Sequence, residues 1–341
     1  MDVLRCLAAS FVVMQHVVES SSVTSLHFLL ELSPGVFGVV LFFVVSGFVI
    51  PLSVKKGLKL SDFATRRIFR IYPGLLFAFV LWICVTHIVR PEALDVLTWR
   101  DWIANLALVQ DFVGAQPIIG VTWTLILEFF WYGLFAASLI VFGARTGRTF
   151  EYLFPAMMII LTCASLVSGI RLPLGRIGMI YAAVFGYQTY RHFEGQISTA
   201  RFRINAAVFL ATMFVSCVVA FGYFAHPTIK LHHALIPWMV APVLFLAATS
   251  ATVRNSAIMR NPVLAWLGSI SFSLYLLHVI AIDVAHAAVG NGLAFILLTL
   301  VLTVVFAVVG FYGVERPGIT LGRAVAARLE PRPKALLTAA G

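Results

Sequence analysis

Long runs of apolar residues, separated by short polar or basic stretches, fill the chain from its first residues to about position 314. Each run is close to the roughly 20 residues that a helix needs to cross the hydrocarbon core of a bilayer. A membrane β-barrel would instead alternate apolar and polar positions along shorter segments. The pattern therefore predicts ten membrane-spanning helices, at 3–19, 36–53, 73–90, 121–142, 152–169, 176–190, 204–224, 233–251, 263–284 and 291–314.

The composition indicates the same class of protein. Of the 341 residues, 61% are hydrophobic and only 11% are charged, and the mean hydropathy is +0.99. Soluble domains average about 45–50% apolar and about 25% charged residues. We therefore expect an all-α polytopic membrane protein embedded in a lipid bilayer. Its transmembrane domain is predicted over residues 1–315, followed by a basic, poorly ordered cytoplasmic tail over 316–341.

The basic residues fall mainly on one side of the predicted spans. With the N-terminus inside, 19 of the 24 lysines and arginines lie on the cytoplasmic side, as the positive-inside rule requires. Both termini are then cytoplasmic. The net charge of +10 reflects this topology and the attraction of anionic lipid, so no nucleic-acid partner is expected. The four cysteines form no CxxC pair, which argues against a disulfide framework or a metal site.

The first span carries two ionisable residues in an apolar setting. Arg5 and His16 are eleven residues apart, close to three helical turns, so they share a face and lie about 16 Å apart along the axis. Glu19 follows His16 by three residues on the same face. An ionisable residue inside a span is a functional-site hypothesis by default. The alternative is that Arg5 only reaches the interface and that His16 hydrogen-bonds a neighbouring helix.

Two later spans also carry polar groups. In "VTWTLILEFFWY", residues 121–132, Glu128 lies below Trp123 and Thr124, and Tyr132 follows one turn later. A buried carboxylate needs a partner or a proton, and a histidine or arginine of another helix is the simplest partner.

In "LGSISFSLYLLHVI", residues 267–280, Tyr275 and His278 are three positions apart and can meet on one helix face. For this second segment, hydrogen bonding between helices is the alternative to a functional role.

Two further segments suggest a charged site and a packing contact. In "FATRRIFRIYP", residues 63–73, a short cytoplasmic helix is expected to carry Arg66, Arg67 and Arg70 and to break near Pro73. Arg66 and Arg70 share a face and could bind a phosphate, although a positive-inside anchor would look the same. In "GVFGVVLFFVVSGFVI", residues 35–50, small residues predict the close approach of another helix; they are Gly38, Ser46 and Gly47.

Together these segments resemble acyltransferase family 3, which includes bacterial O-antigen acetylases, Nod-factor acetylases and macrolide acyltransferases. The resemblance rests on "DVLR" with Arg5 and His16, then on "GVVLFFVVSGF", "RRIFRIYP", "TWTLILEFFWY", "ISFSLYLLH" and "VERP", in the order of the family. The chain departs from the family at Val3, where Gly is usual, and at Thr124, where Ser is usual. It also departs at Val40 and Phe129, where the family often has Asp and Glu, so a role for these two positions is not expected.

The resemblance implies an O-acyltransferase of a bacterial inner membrane. Acetyl-CoA or another acyl-CoA would arrive from the cytoplasm, and its phosphates would meet Arg66, Arg67 and Arg70, with Arg5 nearby. His16 would be the general base on the acceptor hydroxyl or would carry the acyl group itself, with Glu128 as its partner. The acceptor would be a carbohydrate, such as a cell-surface polysaccharide or a glycosylated metabolite, and no metal is expected. The substrate path would include Glu19, Ser46, Trp123, Thr124, Tyr132, Tyr275 and His278.

A transporter or flippase for a lipid-linked sugar is the alternative function. His16, Glu128 and His278 would then form a proton relay inside the membrane. Transporters of this kind often show Gly- or Pro-broken spans at matching positions in two halves. The sequence shows no such pair, which favours the acyltransferase.

Overall fold

The computed structural model describes residues 1–54, 60–224 and 229–329. This part of the chain is helical and contains no β-strand. Its α-helices are α1 Asp2–Ser20, α2 Pro34–Val54, α3 Leu60–Val89, α4 Glu92–Asp95, α5 Trp99–Leu106, α6 Gln110–Val113, α7 Trp123–Phe142, α8 Thr146–Ser168, α9 Leu174–Phe193, α10 Thr199–Cys217, α11 Leu231–Thr249, α12 Ala251–Arg254, α13 Pro262–Ser269, α14 Ser271–Val289, α15 Leu293–Gly310 and α16 Arg316–Leu329. A 3₁₀ helix, Thr24–Leu32, lies between α1 and α2.

The long helices confirm an all-α polytopic membrane protein. Among the described residues, 8 helical stretches are long and apolar enough to cross a membrane, so the predicted number of ten is not confirmed. One of these stretches, Gly120–Ser168, contains both α7 and α8. Helix α9 occupies a predicted span but is not among the eight, because it carries Arg176, Gln188 and Arg191.

Helix α2 lies at the centre of the packing, because its small residues admit two neighbouring helices. A Cβ atom on Gly47 would stand 1.7 Å from the carbonyl oxygen of Ala183 in α9. A Cβ atom on Gly38 would stand 2.4 Å from the carbonyl oxygen of Ala8 in α1. Backbone contacts this close leave no room for a side chain, so the packing predicted for this segment is confirmed.

The arginine segment does not form the separate short helix that the sequence predicts. It is the first part of α3, which continues through Pro73 to Val89. Proline lacks the N–H that would bond the carbonyl of Phe69 one turn earlier, and this loss normally favours a break. Here Gly318 of α16 packs against Pro73, and the contact covers the weakened turn. The predicted span 263–284 is also divided, into α13 and α14, at Ile270.

The predicted disorder of the tail is wrong for residues 316–329, which form α16. Gly318 and Gly322 lie one turn apart and face Phe69 of α3. A Cβ atom added to Gly318 would stand 3.1 Å from the carbonyl oxygen of Phe69, and one added to Gly322 would stand 2.4 Å from the Cβ atom of Phe69. The small residues thus let α16 pack closely on α3. Some of the basic residues counted for the membrane orientation lie outside the described residues; they are Lys55, Lys56, Lys59, Arg332 and Lys334.

Candidate functional site

Two cavities lie between the helices, and Val39 and Tyr275 line both of them. The first, which we call the arginine-end cavity, encloses about 820 Å³ including its open mouth and is lined by Arg5, Ser46, Arg67, Arg70, Thr124, Glu128 and Tyr132 among others. The second, the far-end cavity, encloses about 1230 Å³ and is lined by Gln15, His16, Glu19, Trp82, Arg90, Trp123 and Asp283 among others. Helix α1 contributes Arg5 to one cavity and His16 to the other. The predicted site residues therefore divide into two groups.

Only part of the predicted arginine cluster lines the arginine-end cavity. In the described structure, α3 presents Arg67, Arg70 and Ile71 to this cavity, and Arg66 is not among the lining residues. Positions 67, 70 and 71 follow the three- and four-residue spacing of one helix face. The expected pair of Arg66 and Arg70 is replaced by Arg67 and Arg70, with Arg5 of α1 in the same cavity.

The guanidinium of Arg67 is held by three side chains. Its Nη2 donates a hydrogen bond of 2.7 Å to Ser53 Oγ at the end of α2. Its Cζ lies 5.2 Å from the ring centroid of Phe63 and 5.1 Å from that of Tyr132. These cation–π contacts and the hydrogen bond fix the orientation of the charged group at the cavity wall.

Arg70 lies beside a buried carboxylate that the sequence analysis did not select as a site residue. Its Nη2 is 4.0 Å from Glu315 Oε1, and Glu315 is completely buried. Ser273 Oγ donates a hydrogen bond of 2.8 Å to Glu315 Oε2. A buried carboxylate is costly without a cation, so Glu315 and Arg70 stabilise one another. The sequence contains this residue as the Glu of "VERP", but only the three-dimensional structure shows that it lies next to Arg70.

Glu128 shares its cavity with Arg5 of α1 and not with His16, the partner that the resemblance implies. Its Oε1 accepts a short hydrogen bond from the hydroxyl of Tyr132, one turn later on α7. It lines the arginine-end cavity, whereas His16 lines the far-end cavity. The expectation that Glu128 orients His16 is therefore wrong in this structure.

The partner of His16 is His278. His16 Nδ1 lies 2.7 Å from His278 Nε2, and His278 Nδ1 lies 2.6 Å from the carbonyl oxygen of Tyr275. A carbonyl only accepts hydrogen bonds, so His278 carries its proton on Nδ1. His278 is completely buried, which favours the neutral ring, and its Nε2 must then accept the proton of His16 Nδ1. His16 Nε2 is left with a free lone pair.

Aromatic and polar side chains line the far-end cavity around His16. Trp82 and Trp123 supply aromatic surface. Arg90 Nη2 and Asp283 Oδ2 form an ion pair of 2.5 Å. Trp82, Arg90 and Asp283 are site residues that the sequence analysis missed. Asp283 could have been noticed, because it is an acidic residue within a predicted span.

Two more polar residues of α1 lie in the same cavity. Gln15 Nε2 donates a hydrogen bond of 2.6 Å to Glu19 Oε1. Gln15 Oε1 accepts a hydrogen bond of 2.6 Å from the backbone N–H of Gly35 at the start of α2. Glu19 therefore lines the cavity beside His16, as its place on the same helix face predicts.

The loop between α3 and α7 closes one side of the far-end cavity through Ile118 and Ile119. Buried polar side chains hold this loop. Asn105 Oδ1 accepts a hydrogen bond of 3.0 Å from the N–H of Ile118. Hydrogen bonds from the hydroxyl and N–H of Thr98 and from the N–H of Gln116 hold the pKa of Asp101 below its usual value. The loop is thus an ordered wall of the site.

The wall between the cavities depends on a hydrogen-bonded pair. The hydroxyls of Tyr275 and Thr124 are 2.8 Å apart, and Tyr275 also donates to the carbonyl oxygen of Val121 at 2.9 Å. Both side chains are buried. Tyr275 lines both cavities and Thr124 lines the arginine-end cavity, so this pair lies between the two spaces.

Comparison with known families agrees with this architecture. A family model described as an acyltransferase domain, that of acyltransferase family 3, matches residues 1–312 of the 341. With its apolar helices, the chain is therefore a multi-pass membrane acyltransferase. It belongs to acyltransferase family 3, as its sequence motifs predict. No match is found among curated proteins or among solved structures.

Proposed function

We propose that the protein transfers an acetyl or other short acyl group from acyl-CoA to a hydroxyl of a carbohydrate, with His16 as general base. The observation that carries this proposal is the division of the site into two cavities that share one wall. Arginines line the first cavity and a histidine with a free nitrogen lines the second. The family and the cavities support an enzyme that takes its two substrates from different directions.

The arginine-end cavity suits the phosphates of acyl-CoA. Arg5, Arg67 and Arg70 bring three guanidinium groups to one cavity, and guanidinium binds phosphate with directed, charge-assisted hydrogen bonds. The pantetheine arm would then run along α1 towards His16, over about 16 Å of helix. The positive-inside pattern supports a cytoplasmic position for this cavity, in what we propose is a bacterial inner membrane.

The far-end cavity suits a sugar. Indole rings such as those of Trp82 and Trp123 offer apolar surface to the C–H groups of a sugar ring, and a few polar side chains can fix the orientation of its hydroxyls. Glu19 and Gln15 supply such groups beside His16. A cell-surface polysaccharide or a glycosylated metabolite is the acceptor class that this lining fits.

The reaction uses the free lone pair on His16 Nε2. The acceptor oxygen attacks the thioester carbonyl carbon while Nε2 takes the hydroxyl proton. The C–S bond breaks, and the departing sulfur receives that proton as CoA thiol. His278 accepts the Nδ1 proton of His16 in a hydrogen bond and so stabilises the imidazolium that forms in between. Every atom in this step comes from the two substrates and His16.

The test compares membranes that contain the wild type, His16→Ala or His87→Ala at equal expression. His87 is an exposed histidine of α3 and serves as the matched control. Each sample receives radiolabelled acetyl-CoA and a crude glycan fraction, and label is followed into ester-linked product. We expect transfer by the wild type and by His87→Ala and loss of transfer in His16→Ala.

If His16→Ala transferred label as well as the wild type, His16 would have no role in the reaction. Movement of labelled sugar across sealed vesicles without release of CoA would instead favour a transporter with a proton relay.

A further inference from the structure

A cluster of three potential metal ligands lies at the far end of the molecule, apart from the residues that line the two cavities. Glu31 belongs to the 3₁₀ helix Thr24–Leu32, and His232 and His233 begin α11. One carboxylate oxygen and one ring nitrogen of each histidine all lie within 4.8 Å of one another. Residues separated by about two hundred positions in the chain thus bring two imidazoles and a carboxylate to one point.

We propose that Glu31, His232 and His233 bind a divalent transition-metal ion, with Zn²⁺ as the best-fitting ion. Two imidazole nitrogens and one carboxylate oxygen are a preferred ligand set for Zn²⁺, which completes its tetrahedron with water. None of the three residues has a role in the proposed acyl transfer. The proposal therefore does not rest on the proposed function.

Two of the three distances between the ligand atoms are near those around a tetrahedral ion. Zn–N and Zn–O bonds of about 2.0–2.2 Å place neighbouring ligand atoms about 3.3 Å apart. Glu31 Oε2 lies 2.8 Å from His232 Nε2 and 3.2 Å from His233 Nε2. Shifts of a few tenths of an ångström would bring these two distances to the required value, and the two histidine nitrogens lie no more than 4.8 Å apart. The side chains of Glu31 and His232 are 55% and 44% exposed, so they are free to make such shifts and water can reach the ion.

Two existing contacts oppose the ion, and both are weak. Lys230 Nζ is 3.9 Å from Glu31 Oε1, but its side chain is 67% exposed and can turn into solvent. The backbone N–H of Lys230 also donates to His233 Nδ1 over 3.3 Å. A metal on Nε2 puts the ring proton on Nδ1, so this long hydrogen bond is lost when the ion binds.

A bound ion would anchor the segment that joins α1 to α2. All nine residues of the 3₁₀ helix are described and none of them is buried, so apolar packing holds this segment only weakly. The ion would tie it to the start of α11 through Glu31. Because the same segment follows α1, the helix that carries His16 and Glu19, the ion would also stabilise the far-end cavity.

The experiment uses the full-length protein in detergent, without an affinity tag and stripped of metal with a chelator. Zn²⁺ is titrated against the wild type, His232→Ala, His233→Ala and Glu31→Gln, and bound metal is counted after desalting. Thermal unfolding is followed in parallel, since an ion that binds only the folded state raises its melting temperature. His27→Ala is the matched control, because His27 lies on the same 3₁₀ helix but outside the cluster.

We expect one Zn²⁺ per wild-type chain, a higher melting temperature with Zn²⁺, and the same behaviour in His27→Ala. Each ligand variant should keep its metal-free melting temperature, because these side chains are on the surface, and should bind Zn²⁺ at least about tenfold more weakly. The Lys230→Gln variant should bind at least as tightly as the wild type. Equal binding by the wild type and by both histidine variants, or no binding by the wild type at 100-fold excess over protein, would overturn the proposal.

Discussion

At the scale of single residues, His278 controls which nitrogen of His16 is available to a substrate. The Tyr275 carbonyl fixes the proton of His278, and His278 in turn fixes the proton of His16. His278 lies behind His16 and, among the described residues, is not part of either cavity lining. Under the proposed function, His278 would therefore position His16 and would not line the substrate path, so its loss should affect the rate and not the binding of either substrate.

Replacing His278 with Leu should lower kcat about 100-fold and leave both KM values unchanged. His278→Gln should recover part of the rate, because its amide oxygen can accept the proton of His16 Nδ1. The double variant His16→Ala/His278→Leu should be no slower than His16→Ala alone, since both residues act as one unit. Steady-state kinetics of the four proteins checks this, and additive losses would show that His278 acts separately from His16.

Substitutions of the three arginines of α3 should differ in their effect on the KM for acyl-CoA. Arg67→Lys and Arg70→Lys should each raise the KM for acyl-CoA about tenfold, because lysine lacks the two-pronged geometry of guanidinium. Arg66→Lys is the matched control and should leave this KM unchanged, since Arg66 is not among the residues that line the cavity. Donor titrations at saturating acceptor measure the effect. A rise in KM only for Arg66→Lys would place the donor on another face of α3.

Single residues also show the limit of prediction from this sequence. Periodicity correctly placed Arg5, His16 and Glu19 on one face of α1, because that relation lies within one helix. It could not pair His16 with His278, which is 262 positions away, and the family resemblance suggested Glu128 as the partner instead. Contacts between helices depend on the packing order of the bundle, and apolar spans of similar composition do not specify that order.

At the scale of helices, the packing of α2 against α9 is the contact most sensitive to side-chain size. A Cβ atom on Gly186 would stand 2.0 Å from the carbonyl oxygen of Val44, which mirrors the contact of Gly47 with Ala183. Each helix thus presents a glycine to the backbone of the other. Two rigid backbones cannot separate locally, so even a methyl group must displace a whole helix.

Gly47→Ala should therefore lower the free energy of unfolding by about 1–3 kcal/mol. Gly133→Ala in α7 is the matched control, because its added Cβ would meet no atom within 4 Å. That substitution should leave stability unchanged or raise it by up to about 1 kcal/mol, since alanine favours helix. Thermal unfolding in detergent compares the two variants. Equal melting temperatures would contradict the close packing of α2 and α9.

Element boundaries were the least predictable part of the fold. The apolar runs located the long helices, because burial in lipid demands both length and hydrophobicity. The predicted break at Pro73 and the predicted disorder of residues 316–329 were wrong for the same reason. Gly318 of α16 packs on Pro73 of α3, so each element stabilises the other, and neither sequence alone shows the contact.

At the scale of the whole molecule, we expect the two cavities to open towards opposite sides of the membrane. The arginine-end cavity is lined by Arg5, Arg67 and Arg70, which the positive-inside rule predicts to lie near the cytoplasm. The far-end cavity begins at Val12, about two turns beyond Arg5 along α1. The hydroxyl pair of Tyr275 and Thr124 lies between them. Under the proposed function, the thioester would approach His16 past this pair while CoA stays in the arginine-end cavity.

This arrangement can be tested with matched cysteine variants in a background whose native cysteines are replaced by alanine. Ser46 lines the arginine-end cavity and Ser20 lines the far-end cavity, so Ser46→Cys and Ser20→Cys introduce the same change into each. A membrane-impermeant maleimide should label Ser20→Cys from outside right-side-out vesicles and Ser46→Cys only from the cytoplasmic side. Acyl-CoA should slow the labelling of Ser46→Cys about tenfold and leave Ser20→Cys unaffected, because bound donor fills only one cavity. Labelling of both variants from the same side would show that the two cavities open to the same side of the membrane. It would contradict the proposal that the acyl group passes from one cavity to the other past Tyr275.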